Sequence, residues 1–152
     1  MLEYKIGNLF DLIPYEQTGA KFICHVCNDI GVIGGGFTAP LLKKWPEVGR
    51  IYKEAPCHTL GTNQFVKVAN DPIWVVNMIA QHEIISMNPK PIRYAALAKC
   101  MAEVKDVANG HFSEIWAPMF GSALAGGNWD FIEELINEIW KDLKVTVCKL
   151  EE

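Results

Sequence analysis

Short apolar segments with strand character alternate along this chain with segments that carry a helical pattern of apolar residues. Lys21–Cys27 and Glu114–Met119 are strand-like, and helical patterns follow them at Phe37–Trp45 and Trp129–Leu143. Both strand segments are apolar on both faces, which is typical of parallel strands covered by helices on both sides. The sequence therefore predicts an α/β fold with three layers, α/β/α, around a mostly parallel central mixed sheet.

The remaining segments continue this alternation. Pro91–Asn109 is the clearest helix, because its apolar residues recur at helical spacing and Asn109-Gly110 ends it. A second helical turn is predicted after Pro46, to about Glu54, and Ala69–Pro72 is predicted as a turn between two strands. Further strands are expected at 1–6, 62–68, 73–79 and 144–150. The length of 152 residues and the absence of a linker-like tract predict a single domain, 1–152.

Composition and charge disfavour several classes of partner. The net charge is -4 and the isoelectric point about 5.6, which argues against a nucleic-acid footprint or binding to anionic lipid. The N-terminal segment contains acidic residues and no long apolar run, so we expect no signal peptide. No apolar stretch approaches the roughly 18 residues of a membrane span. The five cysteines are an odd number at irregular spacing, and we expect reduced thiols in a cytoplasmic protein.

Two glycine-rich segments follow predicted buried strands and lead into predicted helices. They are Asn28–Phe37, "NDIGVIGGGF", and Phe120–Trp129, "FGSALAGGNW". Ligands of open α/β sheets bind beyond the carboxyl ends of the strands, where such loops lie. Glycine lets the backbone approach a ligand closely, and backbone N–H groups can bind a diphosphate. Neither segment matches the familiar nucleotide fingerprints. The alternative is that these glycines only make tight turns.

Cysteine and histidine cluster in "CHVC", at Cys24, His25 and Cys27. The spacing of the thiols, with Cys57 and His58 as further ligands, raises the possibility of a zinc or redox site. Strand alternation, however, sends Cys24 and Cys27 to opposite faces of the sheet. We therefore expect buried cysteines that pack as small apolar residues, a structural His25, and no metal.

Six segments together resemble the macrodomain family, an ADP-ribose-binding fold. They are "GNLFDL", "ICHVCNDIG" with "GGGF", "VVNMIAQHEI", "PIRYAAL", "APMFGSALAGGNW" and the final "VTV", in the order of the family and over nearly the whole chain. The chain is most similar to small stand-alone members that process ADP-ribose 1″-phosphate. The resemblance implies a small-molecule ligand, ADP-ribose or its 1″-phosphate, and no cofactor.

The resemblance also implies roles for individual residues. Asn8 stands where the family usually has an aspartate that accepts from the adenine amino group, and Leu9 would offer its backbone N–H to that ring. Asn28 matches the asparagine that binds the distal ribose. The matching ligand-binding positions of the two loops are Ile33, Gly34, Gly35, Gly36 and Phe37 in the first, and Gly121, Ser122, Ala123, Leu124 and Ala125 in the second.

Three departures from the family bear on activity. Some relatives that remove ADP-ribose from proteins use an aspartate in the second loop, where this chain has Ala125. They also use a lysine after the fourth strand, and "MIAQHEI" contains none. Ala125 and the missing lysine argue against a lysine–aspartate glycohydrolase mechanism. Ile33 occupies a place where related sequences often have a bulky aromatic residue, which implies a different wall near the distal ribose.

The expected activity is hydrolysis of ADP-ribose 1″-phosphate to ADP-ribose and phosphate, without a metal. Asp29 and His82 are the candidate proton carriers, and Asn28 would orient the substrate. Asp29 could instead be a turn residue, and His82 a surface or packing residue. A non-catalytic reader of ADP-ribose or of another NAD metabolite is the alternative function, and a hydrolase of ADP-ribosylated macromolecules is a third. We expect a monomer.

Overall fold

The computed structural model describes residues 2–15, 19–68, 72–111 and 113–151, and these ranges contain six strands and five helices, which alternate except where α3 follows α2 and β4 follows β3. The strands are β1 (Leu2–Ile6), β2 (Lys21–Asn28), β3 (Asn63–Lys67), β4 (Ile73–Gln81), β5 (Glu114–Pro118) and β6 (Val145–Lys149). The helices are α1 (Leu9–Leu12), α2 (Thr38–Lys44), α3 (Pro46–Glu54), α4 (Tyr94–His111) and α5 (Trp129–Ile139). No helix of the described ranges is both long enough and apolar enough to cross a membrane.

The strands form one sheet in the order β1-β6-β5-β2-β4-β3. All neighbours are parallel except β3 and β4, which are antiparallel. This arrangement confirms the predicted α/β class with a mostly parallel mixed sheet.

The sheet opens between its two central parallel strands. β2 pairs with β4 along its length, from Lys21 opposite Ile73 to Asn28 opposite Gln81. Its pairing with β5 ends after Ile23 opposite Trp116. The carboxyl ends of β2 and β5 therefore separate, and this separation creates the crevice in which α/β sheets bind ligands.

Apolar side chains cover both faces of the sheet. On one face the core residues of β2 are Phe22 and Cys24, in a cluster with residues of α4 and α5. On the other face Ile23 packs with residues of α1, α2 and α3. Cys27 lies in a small third cluster that contains Tyr52 of α3. Cys24 and Cys27 are thus in different clusters, as strand alternation predicted.

Element boundaries differ from the sequence expectation at several ends. α4 begins at Tyr94 rather than Pro91, because the Arg93 backbone N–H bonds to Ala80 O and its guanidinium donates to the carbonyls of Lys90 and Ile92. α5 ends at Ile139, so the prediction of a helix to Leu143 was too long. The predicted turn at Ala69–Pro72 falls mostly on residues 69–71, outside the described residues.

Candidate ligand-binding site

A cleft of about 1010 Å³ lies at the carboxyl edge of the sheet, between the two glycine-rich loops. Every residue to which the family resemblance assigned ligand binding lines this cleft. These residues are Asn8, Leu9, Asn28, Ile33, Gly34, Gly35, Gly36, Phe37, Gly121, Ser122, Ala123, Leu124 and Ala125. The size is at the upper end of the range for small-molecule pockets.

The first loop is held by Thr38, the first residue of α2. Its hydroxyl donates to Gly35 O at 2.6 Å and accepts from Gly34 N at 3.1 Å. Gly36 has φ +57°, a conformation that L side chains rarely adopt. Within the described ranges, the N–H groups of Gly35 and Gly36 have no hydrogen-bond partner. Both are therefore available to an anionic ligand.

The second loop is folded back onto itself and onto the segment before α4. Gly127 N donates to Gly121 O, and a Cβ at Gly127 would lie 2.3 Å from that same oxygen, so only glycine fits there. Ile92 N donates to Ala125 O at 2.9 Å. The N–H groups of residues 122–125 have no acceptor among the described residues. This loop thus presents a second run of unpaired backbone donors to the cleft.

Leu124 connects the two loops across the cleft. Its Cδ1 lies 3.4 Å from the position that a Cβ would occupy at Gly35, and 3.3 Å from that at Gly36. The leucine side chain is nevertheless half exposed, at 53%. It therefore contacts the glycines of the first loop while part of its surface stays exposed to solvent.

One end of the cleft is formed by the segment that follows β1, from Gly7 to Phe10. The side chain of Asn8 accepts a hydrogen bond from Phe10 N at 2.9 Å and caps α1. Phe10 stacks on Phe37 of the first loop, with ring centroids 5.4 Å apart. Lys149, the last residue of β6, and Glu151, just after this strand, are the charged side chains among the described residues that line this cleft. The glycine loops themselves contribute no cation.

The side chain of Asn28 is held in one orientation at the carboxyl end of β2. Its Oδ1 accepts from Ile30 N at 3.2 Å, from Val32 N at 3.1 Å and from the Tyr52 hydroxyl at 2.7 Å. Its Nδ2 donates to Val32 O at 2.5 Å. An amide NH₂ has two donors, so one N–H of Asn28 remains for a ligand.

Asp29 and His82, the two candidate proton carriers, are hydrogen-bonded to each other. His82 Nδ1 lies 2.8 Å from Asp29 Oδ2, and Glu83 N donates to Asp29 Oδ1 at 2.8 Å. Burial acts to raise the pKa of Asp29, but the Glu83 N–H and the His82 ring outweigh it and hold the pKa below its usual value. The ionised carboxylate therefore orients the imidazole, and Nε2 lies on the far side of the ring, 3.6 Å from Glu83 Oε1.

The Asp29–His82 pair lies beside the cleft rather than in its lining. Asn28 and Gln81, the residues that precede these two, both line the cleft, but the side chains of the pair do not. His82 is 45% exposed, whereas Asp29 is 16% exposed. The pair can therefore reach only a group of a ligand that projects out of the cleft next to Asn28 and Gln81, which is called the distal end of the cleft below.

His25 lies in the floor of the cleft and is almost completely buried. Its Nε2 is 2.6 Å from Asn77 Oδ1, and Asn77 Nδ2 donates to Gln64 Oε1. Burial lowers the pKa of His25 to about 4, although the hydrogen bond to Asn77 acts in the other direction. The ring is therefore neutral at pH 7, with Nε2 as the donor to Asn77.

The cysteines do not form a metal or redox site in the described part of the chain. No group of three His, Cys, Asp or Glu side chains is placed to hold a metal ion there. Burial raises the pKa of Cys24 and of Cys27 far above the usual range, so both stay as thiols.

Sequence reasoning missed two groups of residues around the cleft. The end of β6 and the residues that follow it, from Cys148 to Glu151, line the cleft because the strand order places β6 between β1 and β5. Tyr52 supports Asn28 from α3, and no local pattern marks that tyrosine. Only a prediction of the strand order could have indicated the first group.

Comparison with known proteins places this fold and cleft in a family. No protein-family model matches the sequence. An uncharacterised 17.5 kDa protein of Enterobacteria phage T4 is 24% identical over 93% of this chain and 93% of its own length. A structure from Bacteroides thetaiotaomicron, a protein of unknown function, is 39% identical, with a TM-score of 0.86 over 97% of each chain.

The fold and the cleft define a three-layer α/β protein with a cleft between two glycine-rich loops at the carboxyl edge of its sheet. A macrodomain protein from Streptomyces coelicolor is 32% identical to it, with a TM-score of 0.80 over 98% of this chain and 99% of that one. The chain belongs to the macrodomain family. A more distant structure, Thermosipho africanus DarTG in complex with ADP-ribose, has a TM-score of 0.70 at 14% identity, over 85% of this chain and 38% of that one.

Proposed function

We propose that this protein binds ADP-ribose or a close derivative in the cleft and hydrolyses ADP-ribose 1″-phosphate. One observation carries the binding proposal. Two facing loops present unpaired backbone N–H groups to the same space, at Gly35 and Gly36 on one side and at residues 122–125 on the other. Such donors bind a diphosphate without any cationic side chain. The ADP-ribose bound to Thermosipho africanus DarTG supports this choice of ligand.

The two ends of the cleft suit the two ends of such a ligand. Asn8 and the Leu9 backbone N–H are the proposed adenine contacts beside β1. Asn8 Oδ1 already accepts from Phe10 N, and its second lone pair can accept from the adenine amino group. The remaining N–H of Asn28 and the apolar side chain of Ile33 are the proposed contacts of the distal ribose.

The proposed chemistry uses the Asp29–His82 pair at the distal end. His82 Nε2 accepts a proton from a water molecule whose oxygen attacks the phosphorus. The new O–P bond forms as the P–O bond to the distal ribose breaks, the released ribose oxygen takes up a proton from solvent water, and His82 returns its proton to solvent. Asp29 keeps Nδ1 protonated, so that Nε2 can act as the base. Phosphoryl transfer of this kind depends on positioning and on charge stabilisation by the loop N–H groups.

A non-catalytic reader of ADP-ribose is the second candidate, and one observation favours it. The Asp29 and His82 side chains lie outside the lining of the cleft. Removal of ADP-ribose from macromolecules is the third candidate. Ala125 occupies the loop position where some hydrolytic relatives have an aspartate, and this position cannot supply a general base.

Phosphate release from ADP-ribose 1″-phosphate tests the catalytic proposal. We expect turnover by the wild type that persists in EDTA, and a loss of at least about 100-fold in the His82→Ala variant with ADP-ribose affinity retained. Asp29→Asn should lower the turnover while it keeps a hydrogen-bonding side chain at this position. Tight ADP-ribose binding without phosphate release would refute the phosphatase and leave the reader. Wild-type turnover in His82→Ala would remove His82 from the mechanism.

A further inference from the structure

Tyr52 lies outside the cleft but contacts the residue that is proposed to bind the distal ribose. It belongs to α3 and is completely buried, whereas Asn28 ends β2. The tyrosine hydroxyl lies 2.7 Å from Asn28 Oδ1 and 2.6 Å from Asn28 O. Among the described residues, it is the one side chain that hydrogen-bonds to the Asn28 amide.

The hydrogen bonds around Asn28 fix which of its amide atoms faces each neighbour. Two backbone N–H groups, of Ile30 and Val32, point at one atom of the amide, and the Val32 carbonyl points at the other. The first atom must therefore be the oxygen and the second the nitrogen. The single O–H of Tyr52 is shared between Asn28 O, at 2.6 Å, and this amide oxygen, at 2.7 Å, and it comes from a different element. It thus ties the plane of the amide to α3, rather than only to its own loop.

Tyr52 is itself held in place from the opposite side. Its ring packs against the His58 ring, with centroids 4.7 Å apart, and His58 Nε2 lies 2.5 Å from Tyr52 O. The His58 ring also lies beneath Gly31, where a Cβ would be 3.0 Å from its Cε1. Burial raises the pKa of Tyr52 far above its usual value, so the hydroxyl remains a donor at any physiological pH.

We propose that Tyr52 is a positioning residue that sets specificity for the distal ribose, by holding the Asn28 amide so that its free N–H faces the cleft. This inference rests on the proposed function, because it requires a ligand with a distal ribose. Tyr52 does not line the cleft, and its proposed role involves no contact with the ligand. Loss of the hydroxyl leaves the two loop N–H bonds to Asn28 Oδ1 intact, so the loop keeps its fold while the amide plane gains freedom.

The test compares ADP-ribose with ADP, which lacks the distal ribose, by calorimetry on the wild type and on Tyr52→Phe. We expect the variant to lose about tenfold in affinity for ADP-ribose, equivalent to one hydrogen bond, and to bind ADP within about twofold of the wild type. The informative quantity is the ratio of the two affinities. A general loss of structure would lower both affinities and leave that ratio unchanged.

Tyr15→Phe is the matched control. It also deletes a hydroxyl that bonds to a backbone carbonyl, Phe10 O at 2.7 Å, but at the other end of the cleft. Its ratio of affinities should remain that of the wild type. An unchanged ratio in Tyr52→Phe, or a parallel loss of both ligands, would overturn the role of Tyr52. A wild type that binds neither nucleotide would instead refute the proposed function, so the two failures are distinguishable.

Discussion

His25 should make the stability of this protein depend on pH between about 4 and 6.5. Burial lowers its pKa from the ordinary 6.5 to about 4 in the folded protein. In the unfolded chain the ring is exposed and titrates near 6.5. Between these values the unfolded state binds more protons than the folded state, so the free energy of unfolding falls as the pH falls. Above the unfolded pKa of about 6.5, His25 is neutral in both states and no longer lowers the free energy of unfolding.

The magnitude follows from the distance between pH and the unfolded pKa. Each pKa unit corresponds to about 1.4 kcal/mol, and pH 5 lies about 1.5 units below the unfolded pKa. The wild type should therefore lose about 2 kcal/mol of stability at pH 5 relative to pH 7 because of His25 alone. Other groups titrate in the same range, so the effect has to be measured against a variant that lacks this imidazole.

His25→Gln is that variant, because a glutamine amide can still donate to Asn77 Oδ1 and does not titrate. Urea unfolding of both proteins at pH 7 and pH 5 gives the difference in stability at each pH. We expect the advantage of the wild type to shrink by about 2 kcal/mol at pH 5. In parallel, the NMR signal of the His25 ring should move by only about a tenth of its full titration shift between pH 8 and pH 5. An advantage that is equal at the two pH values, together with a ring that titrates near 6.5, would refute the buried neutral histidine.

Three further predictions concern the cleft and the thiols. Gly35→Val should reduce ADP-ribose affinity by more than tenfold but change stability by less than about 1 kcal/mol, because the backbone of Gly35 is not left-handed and the new Cβ only touches Leu124. Calorimetry measures the affinity and urea unfolding the stability, with Gly110→Val, whose Cβ would lie in open space, as the control. Retained binding would argue against backbone donors at this loop. Asn8→Asp should keep the cap of α1 and raise affinity for ADP-ribose about fivefold through a charge-assisted hydrogen bond, so unchanged or weaker calorimetric binding would count against adenine at this end. All five cysteines are free thiols, and only Cys57 is exposed. A thiol reagent should therefore label one group rapidly in the native protein and five in denaturant. Fast labelling of more than one thiol in the native protein would contradict the burial of the other four.

The fold class was accessible from sequence because its signal is local and repeated. Segments such as Lys21–Cys27 and Ile73–Ile79 are apolar on both faces, and buried parallel strands require that pattern. The two glycine loops were accessible for the same reason, since each directly follows such a strand. α1 was not predicted, because four residues are too few to show a helical period, and its cap at Asn8 is visible only in the structure.

Contacts between distant segments were beyond sequence reasoning. Asp29 and His82 were separate candidates, and their hydrogen bond depends on the register shift that places Asn28 opposite Gln81. The sequence does not encode this irregularity in any local pattern. The support of Asn28 by Tyr52 likewise depends on how α3 packs on the sheet. The residues of the two glycine-rich loops could thus be named from the sequence, whereas the residues that position the site, such as Tyr52, could not.

The most direct test of the central proposal is a calorimetric titration of the wild-type protein with ADP-ribose. We expect saturable binding of one ADP-ribose per chain, with the signal strongly reduced in Gly35→Val. Binding of ADP-ribose 1″-phosphate at the same site would be competitive with it. Absence of measurable binding of ADP-ribose and of its 1″-phosphate to the folded wild type would contradict the proposed function of this cleft.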